Sequence, residues 1–139
     1  FEAALERYRE LLALPVRRAL EQEGPVSEVL REFFQGLINA LIDGEGKGCL
    51  MVNSTTELAS QDGAVYGTCS ANARQLETAF TGMIVRAQQN GELSTERSAA
   101  QLARFLMSTM NGLAVTAKAT RDREVLNDVV EVALSALDL

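Results

Sequence analysis

The sequence predicts an all-α protein of about six helices, on the strength of three observations. Apolar residues recur every three or four positions over long stretches, most clearly in residues 26–42, and this spacing places them on one face of a helix. No stretch of convincing length alternates apolar and polar residues as a half-buried strand would. Turn or capping residues separate the periodic stretches. The length of 139 residues predicts a single domain, residues 1–139.

The first periodic stretch begins at Phe1, and Pro15 is expected to kink its helix or end it at Leu14. Because Phe1 already lies within the pattern without an initiator Met or a cap, we expect other residues to precede it in the natural protein. A short helical piece over residues 16–23 should follow. Pro25 suits the first position of the next helix, where its missing N–H costs nothing. That helix has an apolar face made of Val26, Val29, Leu30, Phe33, Phe34, Leu37, Ile38, Leu41 and Ile42.

Three glycines within residues 43–48 predict a tight turn. A phosphate-binding loop is not predicted there, because the Gly-x-x-x-x-Gly-Lys-Ser/Thr spacing and a preceding strand are both absent. The stretch that follows, Gly48–Leu58, mixes Cys, Met and Leu with Asn, Ser and Thr. A helix of such mixed character suits the wall of a cavity.

A long helix is predicted over residues 65–87, with its N-cap among residues 60–62 and its C-terminal stop at Asn90-Gly91. The next helix is expected to be capped by Ser94 or Thr95. Its apolar residues cover an arc of about 160° on a helical wheel. This arc is wider than the stripe of about 100° that a helix needs to meet one core.

The last helix, capped by Thr120 or Asp122, has a still wider apolar arc of about 200°. The excess predicts a partner, most simply a second copy of the chain related by a two-fold axis. The residues expected at this dimer interface are Ala103, Met107, Met110, Ala114, Val125, Val129, Val132 and Ala136.

Composition argues against several functions. The formal charge of -6 counts against direct nucleic-acid binding by this chain, since phosphate contacts need clustered Lys and Arg. Without histidine the chain lacks the usual general base and the commonest metal ligand, so we expect no enzyme, no catalytic residue and no cofactor. Asp128 and Glu131 share a helix face but are expected to be solvated rather than to hold a metal. With no signal peptide or membrane span in the sequence, a cytoplasmic protein is expected.

Two short motifs carry a resemblance to a known family. Residues 48–53 read Gly-Cys-Leu-Met-Val-Asn, and residues 89–93 read Gln-Asn-Gly-Glu-Leu at the end of the long helix. With two broad-faced apolar helices at the end, the whole chain resembles the effector-binding and dimerisation domain of the TetR family of bacterial transcriptional repressors. In that family an N-terminal helix-turn-helix binds operator DNA, the following helices enclose a small-molecule pocket, and the last two pair as a four-helix bundle.

The resemblance implies a ligand-responsive transcriptional regulator, a repressor, that forms a homodimer and binds a small, largely apolar effector. It implies contact with operator DNA only through a helix-turn-helix domain that this chain lacks. The residues expected to line the pocket are aromatic, Met, Leu and small polar positions from several helices. They are Tyr8, Leu12, Phe33, Phe34, Leu37, Met51, Asn53, Ser54, Leu58, Leu76, Phe80, Met83 and Phe105.

Two alternatives remain open at this point. Cys49, near a helix N-terminus and two residues after Lys47, could be a redox or electrophile sensor, with Lys118 nearby. A buried inert thiol is the more ordinary interpretation of Cys49, and a disulfide between Cys49 and Cys69 is not expected in a cytoplasmic protein. The other alternative is a purely structural dimerisation module without a pocket.

Overall fold

The computed structural model describes all residues, Phe1–Leu139. They form six α-helices joined by turns and loops, without strands. The all-α prediction and the number of helices are therefore confirmed. None of these helices combines the length and the apolar character that crossing a lipid bilayer requires. The helices are α1 (Glu2–Leu20), α2 (Val26–Asp43), α3 (Leu50–Glu57), α4 (Gly63–Gln89), α5 (Ala99–Ala119) and α6 (Arg123–Ala136).

Buried side chains form two separate hydrophobic clusters. The large core holds 22 buried residues, mostly from α2, α4, α5 and α6, and includes Leu20 at the end of α1. Phe34 and Phe80 are fully buried there, and Phe33 packs edge-on against both, with ring centroids 5.3 and 5.4 Å away. The small cluster consists of Leu5, Met51, Val65 and Cys69. Helices α1 and α4 contribute to both clusters.

Helix α1 continues through Pro15 to Leu20, so the predicted end at Leu14 and the separate piece over residues 16–23 are wrong. A proline inside a helix leaves the carbonyl four residues earlier, here that of Leu11, without its N–H donor. Leu11 is 62% exposed, so water can hydrate that carbonyl. Leu5 and Leu20, each fully buried in a different cluster, hold the two ends of the helix in place.

Capping residues set where the later helices begin. The Asp62 carboxylate accepts hydrogen bonds from the N–H groups of Ala64 and Val65, which confirms a cap within residues 60–62. The N-cap of α6 is Asp122, one of the two residues predicted for that role. Helix α5 begins later than Ser94 or Thr95 because Ser98 and Gln101 form a capping box, and that prediction is wrong. Two reciprocal side-chain to backbone bonds outweigh one isolated hydroxyl.

Polar contacts join α2 to α6. The Arg31 guanidinium pairs with the Glu131 carboxylate and holds the pKa of that carboxyl below its ordinary value by donating hydrogen bonds to it. Gln35 Nε2 donates to Asn127 Oδ1 at 2.9 Å. Glu131, expected to be solvated, is thus exposed but paired. No group of three or more Cys, Asp or Glu side chains is arranged to hold a metal ion.

Replacing Phe34 by Ala should destabilise the protein strongly, because it removes a fully buried ring from the large core. We expect a loss of about 3–5 kcal/mol in the free energy of unfolding. Urea denaturation followed by circular dichroism measures this loss. The matched control is Phe1→Ala, since Phe1 is 63% exposed and should change stability by less than about 0.5 kcal/mol. Equal losses in the two variants would contradict the assignment of the core.

Candidate ligand-binding cavity

A cavity of about 1210 Å³ lies between the two hydrophobic clusters. Its wall includes Met51 and Cys69 from the small cluster and Leu41 and Ala114 from the large core. Helices α1 to α5 all contribute lining residues, whereas α6 contributes none. Five helices therefore bound the cavity, which stays partly open to solvent, and the sixth packs on α2 and α5 outside it.

Most of the cavity wall is apolar, with 22 hydrophobic residues among the 39 that line it. Aliphatic side chains of α1, Phe33 of α2 and the methionines of α5 make up much of this surface. Small residues on α4, such as Ala79 and Gly82, leave the space that larger side chains would fill. Such a surface favours an apolar ligand, because burying it removes apolar area from water.

The charged side chains of the lining are exposed and balance one another. Arg17 and Arg86 are two positive groups, and Glu21 and Glu32 are two negative ones. Arg86 also donates from Nη2 to the Leu20 carbonyl at 3.2 Å. Burying an ionised group without a counter-charge costs several kcal/mol or more. The wall thus favours a ligand without net charge.

Uncharged polar groups can orient a ligand within these walls. Ser70, Asn72 and Asn111 lie in the lining with hydroxyl or amide groups. Thr55 and Thr56 also line the cavity, but their hydroxyls donate to carbonyls of their own helix, Thr55 to Met51 at 2.8 Å. Their oxygens can still accept. The cavity therefore offers a few hydrogen-bonding positions in an otherwise apolar surface.

Tyr8 and Cys49 meet at the cavity wall. The Tyr8 hydroxyl oxygen lies 3.8 Å from Cys49 Sγ, which connects α1 to the start of α3. Burial and the neighbouring Cys49 raise the pKa of Tyr8 to about 12. The phenol therefore stays protonated at neutral pH and can donate a hydrogen bond to a ligand.

Six of the thirteen residues predicted to contact an effector line this cavity. Contact with an effector remains a prediction for them. They are Tyr8, Leu12, Phe33, Leu37, Met51 and Leu76.

The other seven lie away from the cavity. Phe34, Phe80 and Met83 are buried in the large core, Ser54 is also buried, and Leu58 and Phe105 are 37% and 41% exposed. Asn53 uses its amide within the protein: it donates to the Lys47 carbonyl at 2.8 Å and accepts from Lys118 Nζ at 3.0 Å. Helical spacing could not show whether these side chains face the cavity, the core or solvent.

Several lining residues escaped the sequence analysis. The clearest group comes from α4, namely Ser70, Asn72, Ala73, Ala79 and Gly82. A run of small and polar residues in the middle of a 27-residue helix was the available signal, because such a helix cannot fill the space beside it.

The residues predicted at a dimer interface divide into two groups. On α6, Val125, Val129 and Val132 are 39%, 38% and 70% exposed, and Ala136 is exposed with them. On α5, by contrast, Ala103 and Ala114 are buried within the protomer. Met107 and Met110 pack on the large core and line the cavity. Ala103 and Ala114 have no exposed surface to offer a second copy, whereas the half-buried Met107 and Met110 face mainly their own chain, and their place at an interface stays a prediction.

The exposed surface of α5 lies on a different side of that helix. Phe105 and Val115 are 41% and 51% exposed, and Ser108, Gly112 and Ala119 are exposed between and beyond them. These positions are spaced by three or four residues and therefore share one side of the helix. We call these five residues, together with Val125, Val129, Val132 and Ala136 of α6, the α5–α6 face.

Comparison with known proteins identifies the family. The family described as tetracyclin repressor-like, C-terminal domain, matches residues 26–133. The HTH-type transcriptional regulator YezE of Bacillus subtilis (strain 168) is 37% identical over 140 residues. The HTH-type transcriptional repressors ComR of Escherichia coli (strain K12) and DhaR of Mycobacterium sp. (strain GP1) are 24% and 28% identical over 136 and 108 residues. No solved structure matches the chain.

The matches cover most of this chain but only part of the relatives. They take in 99%, 96% and 78% of the chain and 72%, 65% and 53% of the lengths of YezE, ComR and DhaR, respectively. This family consists of transcriptional regulators rather than enzymes. With its six helices and the match over residues 26–133, the chain belongs to the TetR family of transcriptional regulators and is a C-terminal domain of that family.

Proposed function

We propose that this chain is the effector-binding and dimerisation domain of a cytoplasmic transcriptional repressor, and that its cavity takes a small, neutral, largely apolar molecule. The observation that carries the proposal is the cavity of about 1210 Å³ between the two clusters. This volume lies above the range of about 300–1,000 Å³ that is typical of binding sites for drug-sized molecules, so the cavity has room for such a ligand. A purely structural dimerisation module would have no use for such a space, so the cavity argues against that alternative.

The relatives support the regulatory part of the proposal. ComR and DhaR are named as HTH-type repressors, and they extend beyond the region that this chain matches. In the proposal, operator DNA is bound by a helix-turn-helix domain, N-terminal to the residues described here. The formal charge of -6 is consistent with a chain that leaves phosphate contacts to another domain.

The α5–α6 face supports self-association. The nine residues that define it are uncharged, with the exposed Arg104, Lys118 and Asp128 beside them, and its valines and Phe105 would leave water on contact with a second copy. Two copies of an acidic chain repel each other, so a face without charge is the favourable place for them to meet. We propose that α5 and α6 of two protomers pack there as a four-helix bundle.

Effector binding would control DNA binding through a difference in affinity. The ligand must bind the conformation that releases DNA better than the one that binds DNA. A coupling free energy of about 1–3 kcal/mol gives a response of several-fold to about a hundredfold. Helix α1 supports this coupling, because its first half packs in the small cluster, its last residue packs in the large core, and its middle lines the cavity.

A second candidate function is thiol sensing at Cys49. The structure favours it in one respect, since Cys49 is half-buried, lines the cavity and lies beside the Tyr8 hydroxyl. Lys118 lies close to Gly48, although its amine donates to Asn53. A reagent that enters the cavity could thus reach the thiol.

Replacing Leu76 by Trp should weaken ligand binding, because the larger side chain occupies part of the cavity. The neutral dye Nile red serves as the probe, and we expect an affinity at least about tenfold lower, equivalent to ~1.4 kcal/mol. Fluorescence titration measures it. Val85→Trp is the control, since Val85 lies on the same helix but not in the cavity wall. If wild-type protein bound no dye, or if both variants bound it equally well, the cavity would not be the binding site.

Replacing Val132 by Glu should separate the dimer, because it places a charge in the middle of the α6 valines. Wild-type protein should sediment at twice the monomer mass of 15.1 kDa, and the variant at the monomer mass. Since Val132 is 70% exposed, the variant should remain folded by circular dichroism. Val85→Glu, a change outside the α5–α6 face, should remain dimeric. A wild-type protein that is monomeric at all concentrations would disprove the proposed interface.

Replacing Cys49 by Ser distinguishes the two candidate functions. If the cavity binds its effector without covalent chemistry, Nile red affinity should change by less than about threefold, or ~0.7 kcal/mol. If Cys49 is a sensor, hydrogen peroxide should alter dye binding in the wild type but not in the variant. Cys69→Ser is the matched control, because Cys69 also lines the cavity. A peroxide response that persists in Cys49→Ser would eliminate the thiol-sensing candidate.

A further inference from the structure

Tyr8 offers the cavity a hydroxyl whose proton has no strong side-chain acceptor within the protein. The tyrosine is half-buried, packs against the small cluster and lines the cavity. Its hydroxyl meets one side-chain atom, Cys49 Sγ, at 3.8 Å. Sulfur accepts hydrogen bonds weakly, and if the thiol donates instead, the phenol proton has no side-chain acceptor at all. A better acceptor on a ligand can therefore take this proton.

The other hydroxyls of the cavity wall depend less on a ligand. Those of Thr55 and Thr78 donate to carbonyls of their own helices. Tyr66 is 61% exposed, so water can accept from it. Ser70 is half-buried, but a serine within a helix can turn its hydroxyl to the carbonyl four residues earlier. The Tyr8 hydroxyl stands too far from its own backbone for such a bond.

The charges near Tyr8 favour an uncharged acceptor over a carboxylate. The adjacent Arg9 lies outside the cavity wall, where it pairs with Glu6 and donates to Gln75 Oε1 at 2.8 Å. Arg17 is the arginine of α1 that lines the cavity, and it lies about 13.5 Å further along the helix axis. A carboxylate beside Tyr8 would thus be buried without a counter-charge, which is costly. An uncharged carbonyl oxygen needs only the one donor.

We propose that the effector carries a carbonyl oxygen in an otherwise apolar frame, and that Tyr8 selects it by donating a hydrogen bond to that oxygen. The inference rests on the proposed function, since it takes the cavity as the ligand site. It goes beyond that function because it names the functional group of the ligand and the residue that recognises it. Apolar ketones and esters have this chemistry.

The state of the Tyr8 phenol suits this role. Burial and the neighbouring Cys49 raise its pKa to about 12, so the proton is present at neutral pH. When a carbonyl oxygen enters, the hydrogen bond passes from a weak sulfur acceptor to a stronger oxygen acceptor. A ligand without an acceptor gains nothing from the hydroxyl. Tyr8 therefore acts on specificity, while the apolar wall supplies most of the affinity.

Two compounds of nearly the same shape test the inference. The ketone 2-acetylnaphthalene has a carbonyl oxygen where the hydrocarbon 2-isopropylnaphthalene has a methyl group. Displacement of Nile red gives their affinities, with the dye affinity measured separately for each variant. Tyr8→Phe should weaken binding of the ketone about fivefold, or ~1 kcal/mol, and that of the hydrocarbon by less than about twofold. The variant keeps the ring that packs against the small cluster.

Two matched controls come from the same cavity wall. Tyr66→Phe removes the other tyrosine hydroxyl of the wall, and Ser70→Ala removes its half-buried serine hydroxyl. Neither should change the ratio of the two affinities by more than about twofold, or ~0.4 kcal/mol. Leu76→Trp should weaken binding of both compounds, because each of them occupies the cavity.

The emission of bound Nile red gives a second measurement that does not depend on affinity. This dye carries a carbonyl oxygen of its own, and its emission moves to shorter wavelength when a hydrogen bond to that oxygen is lost. Tyr8→Phe should produce such a shift, and Tyr66→Phe should not. If the naphthalenes bind too weakly to be measured, the emission shift decides the question.

The outcomes separate the inference from the proposed function. A Tyr8→Phe variant that weakens both naphthalenes equally, or neither of them, and leaves the dye emission unchanged would overturn the inference while leaving the effector cavity intact. A selective loss of the ketone in Ser70→Ala rather than in Tyr8→Phe would also overturn it. Wild-type protein that binds neither the naphthalenes nor Nile red would instead overturn the proposed function.

Discussion

The structure depends on the incomplete contact between its two hydrophobic clusters. The large core supplies most of the buried apolar area, whereas the small cluster has only Leu5, Met51, Val65 and Cys69. Helices α1 and α4 extend through both clusters and fix their separation. Small residues such as Ala79 and Gly82 on α4 leave the space between them unfilled. The cavity therefore exists because α4 carries small side chains, rather than large ones, between the two clusters.

The sequence predicted those parts of the fold that depend on local chemistry. The periodic apolar residues of α2 gave its position, and the Asp62 and Asp122 carboxylates marked the starts of α4 and α6. Two local predictions failed, for different reasons. The start of α5 was misplaced because a capping box at Ser98 and Gln101 outweighs the earlier hydroxyls. The end of α1 was misplaced because distant contacts decided the outcome. Pro15 did not end α1, since Leu5 and Leu20 anchor the helix in separate clusters.

The candidate site was less predictable than the fold, because a helical wheel shows which side chains are apolar but not what they face. Phe33 lines the cavity, whereas its neighbour Phe34 is buried in the core. On α5, Met107 and Met110 were assigned to the dimer interface, yet they lie on the side that faces the cavity. On α6 the same reasoning identified the exposed valines, since only one side of that helix contacts the core. A helix with several different neighbours needs three-dimensional information to assign its faces.

Pro15 gives α1 a mechanical property that its neighbours lack. The bond that would join residue 15 to the Leu11 carbonyl is already missing, so bending the helix at this point breaks no backbone hydrogen bond there. Pro15 also lines the cavity, between Leu12 and Val16. Because Leu5 is held by the small cluster and Leu20 by the large core, a small change in the separation of the two clusters would tilt residues 2–14 relative to residues 16–20 about this point. Over the length of that arm, a few degrees of tilt displace the start of the helix by about an ångström, given a rise of 1.5 Å per residue.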